Sequence, residues 1–104
     1  MQTTIETADK LMTVYLSGEL DHHNAPTVRD KIDETAACFR PEKTVLDFGG
    51  VTFMDSSGLA VVLHLHRTCA RSGREFVVRG APPQPMRVFE ASGLPQVMIF
   101  ERGE

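Results

Sequence analysis

The residues that could do chemistry are concentrated in one short segment, Phe53–Ala60, which has the sequence FMDSSGLA. An apolar stretch runs there into an aspartate, two serines and a glycine, and a helical pattern follows. Hydroxyls at such a corner lie beside free backbone N–H groups and the positive end of the helix dipole, where a phosphate can be held. The simpler interpretation is that Asp55, Ser56 or Ser57 caps the helix. Residue types alone leave both interpretations open.

A nucleophilic serine is another hypothesis for this segment. Ser56 or Ser57 would then need an activating base and an oriented oxyanion hole. The G-x-S-x-G pattern of many serine hydrolases is absent around both residues, and none of the four histidines lies in a context that marks a base. We therefore expect no catalytic residue, and a small hydrolase is only a competing hypothesis.

The histidines do not indicate a metal site. In the segment Asp21–Asn24, which reads DHHN, adjacent side chains point in different directions and no further ligand follows at a typical spacing. His64 and His66 lie about 200° apart around a helix and cannot share a metal ion. We expect His64 to face solvent and His66 to be half-buried. The stretch Gly18–Asn24 is then either an exposed contact surface or an ordinary turn with a helix cap.

Length and composition predict a single globular domain spanning residues 1–104. The chain has 41% apolar and 24% charged residues, which is close to globular averages. Its net charge of −3 argues against a dedicated nucleic-acid-binding protein. It contains no stretch of roughly 20 apolar residues and no signal-peptide pattern, so we expect no membrane partner and a cytoplasmic location.

The hydrophobic pattern predicts the element order β-β-α-β-α-β-α-β. Strands are expected at Thr3–Ala8, Leu11–Leu20, Lys43–Phe48, Glu75–Arg79 and Val97–Glu101, with a brief extended stretch at Val51–Met54 after Gly49-Gly50. Helices are expected from the cap residue Asn24 to Phe39, at Gly58–Arg71, and at Gln84–Ser92 with Gly93 as a left-handed cap. The fold class is therefore α/β, with helices packed against a mixed, mostly parallel sheet.

The Gly58–Arg71 helix has two possible apolar faces. Its inward stripe is predicted to comprise Leu59, Val62, Leu63, His66, Cys69 and Ala70. Val61 and Leu65 fall outside that stripe and flank the serine corner. We therefore expect these two side chains to be exposed and to contribute to a protein contact site.

Three segments resemble the signature segments of one protein family. They are Gly18–Ala25 (GELDHHNA), Phe53–Leu59 (FMDSSGL) and Arg87–Leu94 (RVFEASGL). In this order and spacing they are similar to anti-sigma factor antagonists of the STAS domain family, and the resemblance extends from Leu11 to about Glu101. The double histidine makes the sporulation members the most similar.

The resemblance implies a STAS-like fold and a binding protein rather than an enzyme. Unphosphorylated members bind an anti-sigma factor that is also a serine kinase, and the sigma factor is released. The kinase uses ATP to phosphorylate the serine after the motif's aspartate, and a serine phosphatase reverses this step. Matched by position, the phosphorylated residue is Ser56, and the chain needs no cofactor of its own.

The resemblance also implies a docking surface around that serine. Together with the two helix residues above, the partner-binding set is Asp21, His22, His23, Asn24, Asp55, Ser57, Gly58, Val61 and Leu65. An alternative within the same fold is a STAS docking module of a stress-response or transport complex, without the sporulation role.

Overall fold

The computed structural model describes residues 1–103 as one sheet with three helices and a short 3-10 turn. The strands are Gln2–Ala8 (β1), Leu11–Leu20 (β2), Lys43–Met54 (β3), Glu75–Arg79 (β4) and Ile99–Glu101 (β5). The helices are Ala25–Phe39 (α1), Ser56–Arg71 (α2) and Pro83–Ser92 (α3), and the 3-10 turn is Leu94–Gln96. Among residues 1–103, no helix is both long and apolar enough to cross a lipid bilayer.

The sheet has the strand order β1-β2-β3-β4-β5. The first two strands are antiparallel, and each later pair is parallel. Asp9 and Lys10 connect the hairpin with φ angles of 51° and 66°, the left-handed pair that is typical of a type I′ turn. The predicted α/β class and mixed, mostly parallel sheet are confirmed.

The core lies between one face of this sheet and the helices. Val14, Leu46 and Val78 lie side by side on three neighbouring strands and are fully buried. They belong to one apolar cluster that includes residues from all three helices. Phe48 of β3 meets Phe89 of α3 edge to face, with ring centroids 5.3 Å apart. Burial of this face is what fixes the strand ends that carry the candidate site.

The prediction that Gly49-Gly50 stops a strand is wrong, because β3 runs unbroken to Met54. The register between β2 and β3 shifts just before Ser17, which lies opposite Gly50. A Cβ atom at Gly50 would lie 2.6 Å from the Cβ of Ser17. The glycine therefore allows a close approach at a β-bulge and does not end the strand.

Other element boundaries differ by one or two residues from the predicted ones. The strand expected from Val97 begins at Ile99, because the N–H groups of Val97 and Met98 donate to the carbonyl of Leu94 in the 3-10 turn. Helix α2 begins at Ser56, two residues before the predicted start at Gly58. Gly93 has φ 80°, which confirms the left-handed cap after α3.

Helix α2 matches its predicted inward face only in part, because Val62 is fully buried as expected but Val61 and Leu65 are buried as well. Its buried residues are Gly58, Val61, Val62 and Leu65, and both Val61 and Leu65 are only 4% exposed. Both apolar stripes of α2 fit a helical period. Packing against the sheet buries most deeply the side of the helix that includes Gly58, which lies against the end of β3. Val61 and Leu65 are therefore core residues and are not exposed contact residues.

The expected exposure of His64 is also wrong. Its side chain is half-buried, and Nε2 lies 2.9 Å from Oδ2 of Asp33 on α1. The rotation of α2 turns this position toward α1, so His64 contributes to helix–helix packing. His66 is half-buried, as predicted.

Candidate functional site

The corner between β3 and α2 is organised by Asp55. This residue is extended, with φ −107° and ψ −170°, and stands at the N-cap position of α2. Its Oδ1 accepts a hydrogen bond of 2.8 Å from the N–H of Ser57, and its carbonyl accepts one of 3.1 Å from the N–H of Gly58. Of the three residues considered from the sequence, Asp55 is therefore the one that caps the helix.

Ser56 is the first residue of α2, and its side chain is exposed. Because Asp55 supplies the capping oxygen, the hydroxyl of Ser56 is not required for that role. It lies at the positive end of the helix dipole, beside backbone N–H groups that begin the helix. The two interpretations left open by the sequence therefore apply to different residues: Asp55 caps the helix, and the hydroxyl of Ser56 is free to be modified.

Hydrogen bonds hold the pKa of the Asp55 carboxyl below its ordinary value. Burial acts in the opposite direction, but the backbone N–H groups of Ser57, Gly58 and His22 favour the charged form and outweigh it. The carboxylate therefore remains ionised at neutral pH. Any second negative charge added at Ser56 lies next to it.

Gly58 lies inside the corner. A Cβ atom there would lie 2.4 Å from Cγ of Met54 and 3.0 Å from Cδ2 of Leu20. The absence of a side chain lets the first turn of α2 lie directly against the ends of β2 and β3. Gly58 is buried, so its contribution is to position the corner.

The loop Asp21–Asn24 is a compact turn with reciprocal hydrogen bonds. Oδ1 of Asp21 accepts from the N–H of His23 at 3.0 Å, and Oδ1 of Asn24 accepts from the N–H of Asp21 at 3.1 Å. Nδ2 of Asn24 donates to the carbonyl of Glu19 at 2.7 Å. Asn24 occupies the predicted cap position of α1, but its side chain does not cap the helix. It closes the turn instead.

The fold brings this loop and the corner together. Leu20 pairs with Met54 across β2 and β3, and the N–H of Asp55 donates to the carbonyl of Leu20 at 3.3 Å. Nδ1 of His22 lies 3.9 Å from Oδ2 of Asp55. The His22 side chain is 70% exposed, and its ring lies 4.0 Å from that of His23. The loop Asp21–Asn24 and the corner between β3 and α2 therefore form one continuous surface around Ser56.

A groove of about 190 Å³ between α1 and α2 adjoins this surface. Its lining consists of His22, Ala25, Pro26, Arg29, Ser57, Ala60, Val61 and His64. The rim carries imidazole and guanidinium groups, and the floor is mostly apolar. Within residues 1–103, no group of three or more His, Cys, Asp and Glu side chains is placed to hold a metal ion.

Gln84, which lies in the first turn of α3, was not among the residues predicted from the sequence. Its Oε1 accepts from the N–H of Met54 at 2.8 Å, and its Nε2 donates to the carbonyl of Met54 at 2.9 Å. Thirty residues separate the two partners, and no local pattern indicates such a contact. Phe53 was not predicted either: it belongs to the apolar stretch before Asp55, but it is 43% exposed.

Comparisons with known proteins agree with this geometry. The family model described as "STAS domain" matches residues 2–103. An anti-sigma F factor antagonist from Paenibacillus polymyxa is 37% identical over 98 residues, which cover 94% of this chain and 84% of that protein.

Two solved structures are similar over nearly the whole chain. The anti-sigma factor antagonist from Mycobacterium paratuberculosis has a TM-score of 0.86 at 26% identity, covering 96% of this chain and 84% of that one. The Bacillus cell fate determinant SpoIIAA in its phosphorylated form has a TM-score of 0.76 at 28% identity, covering 95% and 90%. The resemblance seen in the three sequence segments is thereby confirmed, and the chain belongs to the STAS domain family.

Proposed function

We propose that this chain is an anti-sigma factor antagonist. In its unphosphorylated form it binds an anti-sigma factor that is also a serine kinase, and the bound sigma factor is released. The names of the relatives support this role, since proteins 37% and 35% identical to the chain are anti-sigma F factor antagonists. The chain acts as a binding module, not an enzyme, and the partner supplies ATP.

Ser56 is proposed to be the switch. The observation that carries this assignment is an exposed hydroxyl at the first position of α2, beside a cap that does not depend on it. A phosphate adds about −1.5 to −2 charges and three acceptor oxygens. The helix N-terminus compensates part of that charge, so we expect the fold to tolerate the modification. A serine phosphatase would restore the hydroxyl.

The same phosphate is expected to prevent binding. It would lie beside the ionised Asp55, and a partner would have to desolvate both charges. A loss of about 3 kcal/mol in binding free energy corresponds to more than a hundredfold in affinity. The switch is thus a local electrostatic event that needs no global rearrangement.

The proposed docking surface combines the loop, the corner and the adjoining groove. Its members are Asp21, His22, His23, Asn24, Asp55 and Ser57, all of which are exposed or half-buried. Of the three buried residues, Gly58 and Val61 lie beneath this surface, whereas Leu65 packs near the opposite ends of β2 and β3 and is not part of it.

Mass spectrometry after incubation with a candidate anti-sigma kinase and ATP tests the proposal. We expect one phosphate, mapped to Ser56 and absent from Ser56→Ala. Ser72→Ala is the matched control, because Ser72 is an exposed serine just beyond the opposite end of α2 and lies outside the docking surface. Binding without phosphate incorporation would support a STAS docking module without the switch. Phosphate on another residue would refute the assignment of Ser56.

A further inference from the structure

Strand β3 is longer than both of its neighbours, and it extends well past the end of one of them. On one side β2 accompanies it to its end, where Leu20 pairs with Met54. On the other side β4 pairs with it only as far as Asp47, opposite Arg79. The last part of β3, residues 48–54, therefore has no strand partner on the β4 side.

This gap leaves the backbone N–H and C=O of Met54 without a strand partner. In a strand, the N–H and C=O of one residue point to the same edge, and those of the next residue point to the other. The N–H of Asp55 points to β2, so the groups of Met54 point to the β4 side. Met54 is fully buried, and unpaired backbone groups at a buried residue are unfavourable.

Gln84 fills the gap. Its carboxamide accepts from the N–H of Met54 at 2.8 Å and donates to the carbonyl of Met54 at 2.9 Å. An adjacent strand would supply the same two kinds of partner, one carbonyl oxygen and one N–H group. One side chain from α3 thus replaces a missing strand at the residue that directly precedes Asp55.

We propose that Gln84 is a positioning residue for the Ser56 switch. Met54 is held by β2 on one side and by Gln84 on the other, and its side chain lies against Gly58 in the first turn of α2. Gln84 thereby fixes the corner from which the Ser56 hydroxyl is presented to the kinase. The inference rests on the proposed phosphorylation of Ser56.

The test compares Gln84→Met with Gln96→Met, a matched change at an exposed glutamine of the 3-10 turn. Kinetics of Ser56 phosphorylation by the partner kinase are measured as phosphate incorporation against chain concentration. We expect Gln84→Met to lower kcat by about 10- to 100-fold with little change in KM, because a misplaced acceptor slows the transfer step. Gln96→Met should match the unsubstituted chain.

Amide hydrogen exchange followed by NMR gives a readout that needs no kinase. In Gln84→Met the Met54 amide should exchange at least about tenfold faster, because its hydrogen bond is lost, while the Val14 amide in the core should be unchanged. Gln84→Glu retains an acceptor for the Met54 N–H but places a carboxylate oxygen against the Met54 carbonyl, so a lowered kcat is expected for this variant too. If Gln84→Met does not fold, Gln84→Glu is used for both measurements instead.

The outcomes separate this inference from the proposed function. If the unsubstituted chain receives no phosphate at Ser56, the proposed function fails. The exchange rate of the Met54 amide still shows whether Gln84 holds Met54 in place. If that chain is phosphorylated and both Gln84 variants retain its kcat, the positioning role is wrong. A lowered kcat with unchanged Met54 exchange would also overturn it, since the effect would not pass through these bonds.

Discussion

At the residue scale, the corner divides two tasks between neighbouring side chains. Asp55 caps α2 with its carboxylate, and Ser56 presents a hydroxyl that the cap leaves free. The residue types predict that a cap and a hydroxyl occur here, but not which residue has which role. The backbone conformation of Asp55 decides that, because only its extended geometry directs the carboxylate back to the N–H of Ser57.

Removing the cap is expected to give a pH-dependent loss of stability. Asp55→Ala should lower the melting temperature by a few degrees at neutral pH, because the N–H of Ser57 loses its acceptor. The folded-state pKa of Asp55 lies below the ordinary value of 3.8. The stabilisation that ionised Asp55 gives to the fold is therefore complete above the ordinary pKa. It is lost as the pH falls through the lower folded-state pKa.

Thermal melts of both proteins from pH 7 to pH 2 check this expectation. The difference in melting temperature should shrink at the acidic end. A difference that stays constant across the whole range would show that the charge of Asp55 is not involved.

A negative charge at position 56 should weaken partner binding. We expect Ser56→Asp to raise the Kd for the anti-sigma factor by up to about a hundredfold, and Ser56→Ala to change it little. Ser72→Asp adds the same charge at the opposite end of α2 and serves as the control. Isothermal titration calorimetry measures all three variants, and equal losses for Ser56→Asp and Ser72→Asp would contradict a local electrostatic mechanism.

At the element scale, the junction of β3 with α2 shows what sequence can and cannot predict. The order and type of the elements follow from apolar periodicity and from turn residues such as Gly93. The buried face of α2 does not follow from periodicity. Val61, Val62, Leu63 and Leu65 are compatible with two apolar stripes, and contact with the sheet and α1 decides which side is buried most deeply. The bonds of Gln84 with Met54 have no sequence signal, since they arise from unequal strand lengths.

The buried face of α2 can be tested by truncation. Leu65→Ala should lower the free energy of unfolding by about 2–5 kcal/mol, because a fully packed side chain leaves a cavity. Leu63→Ala, at a half-buried position of the same helix, should cost clearly less. Urea denaturation measures both, and the reverse order would restore the face predicted from sequence.

The close contact at Gly58 predicts an overpacked corner in Gly58→Ala. Its new Cβ would lie 2.4 Å from Cγ of Met54, so the helix or the strand end must move. We expect a loss of about 1–3 kcal/mol in unfolding free energy. Gly73→Ala is the contrasting variant: no atom lies within 4 Å of the Cβ that alanine would add there, although its φ of 66° adds some strain. Stabilisation by Gly58→Ala, measured by urea denaturation, would contradict this close packing.

At the scale of the whole molecule, the helices and one face of the sheet form a single core, and the switch lies at the edge of that core. Phosphorylation of Ser56 is therefore expected to leave the fold unchanged. In NMR spectra of the phosphorylated chain, amide shifts should change mainly in residues 20–24 and 54–60. Large changes in β1 or β5 would indicate a global rearrangement and refute the local mechanism.

The strand order has a consequence for how the chain is made. Each strand pairs only with the strands immediately before and after it along the chain. As the polypeptide leaves the ribosome from its N-terminus, every new strand from β2 onward finds its first partner already synthesised. The sheet can thus form strand by strand during translation. The Ser56 corner can pack against β2 before α3 is synthesised and Gln84 forms its hydrogen bonds with Met54.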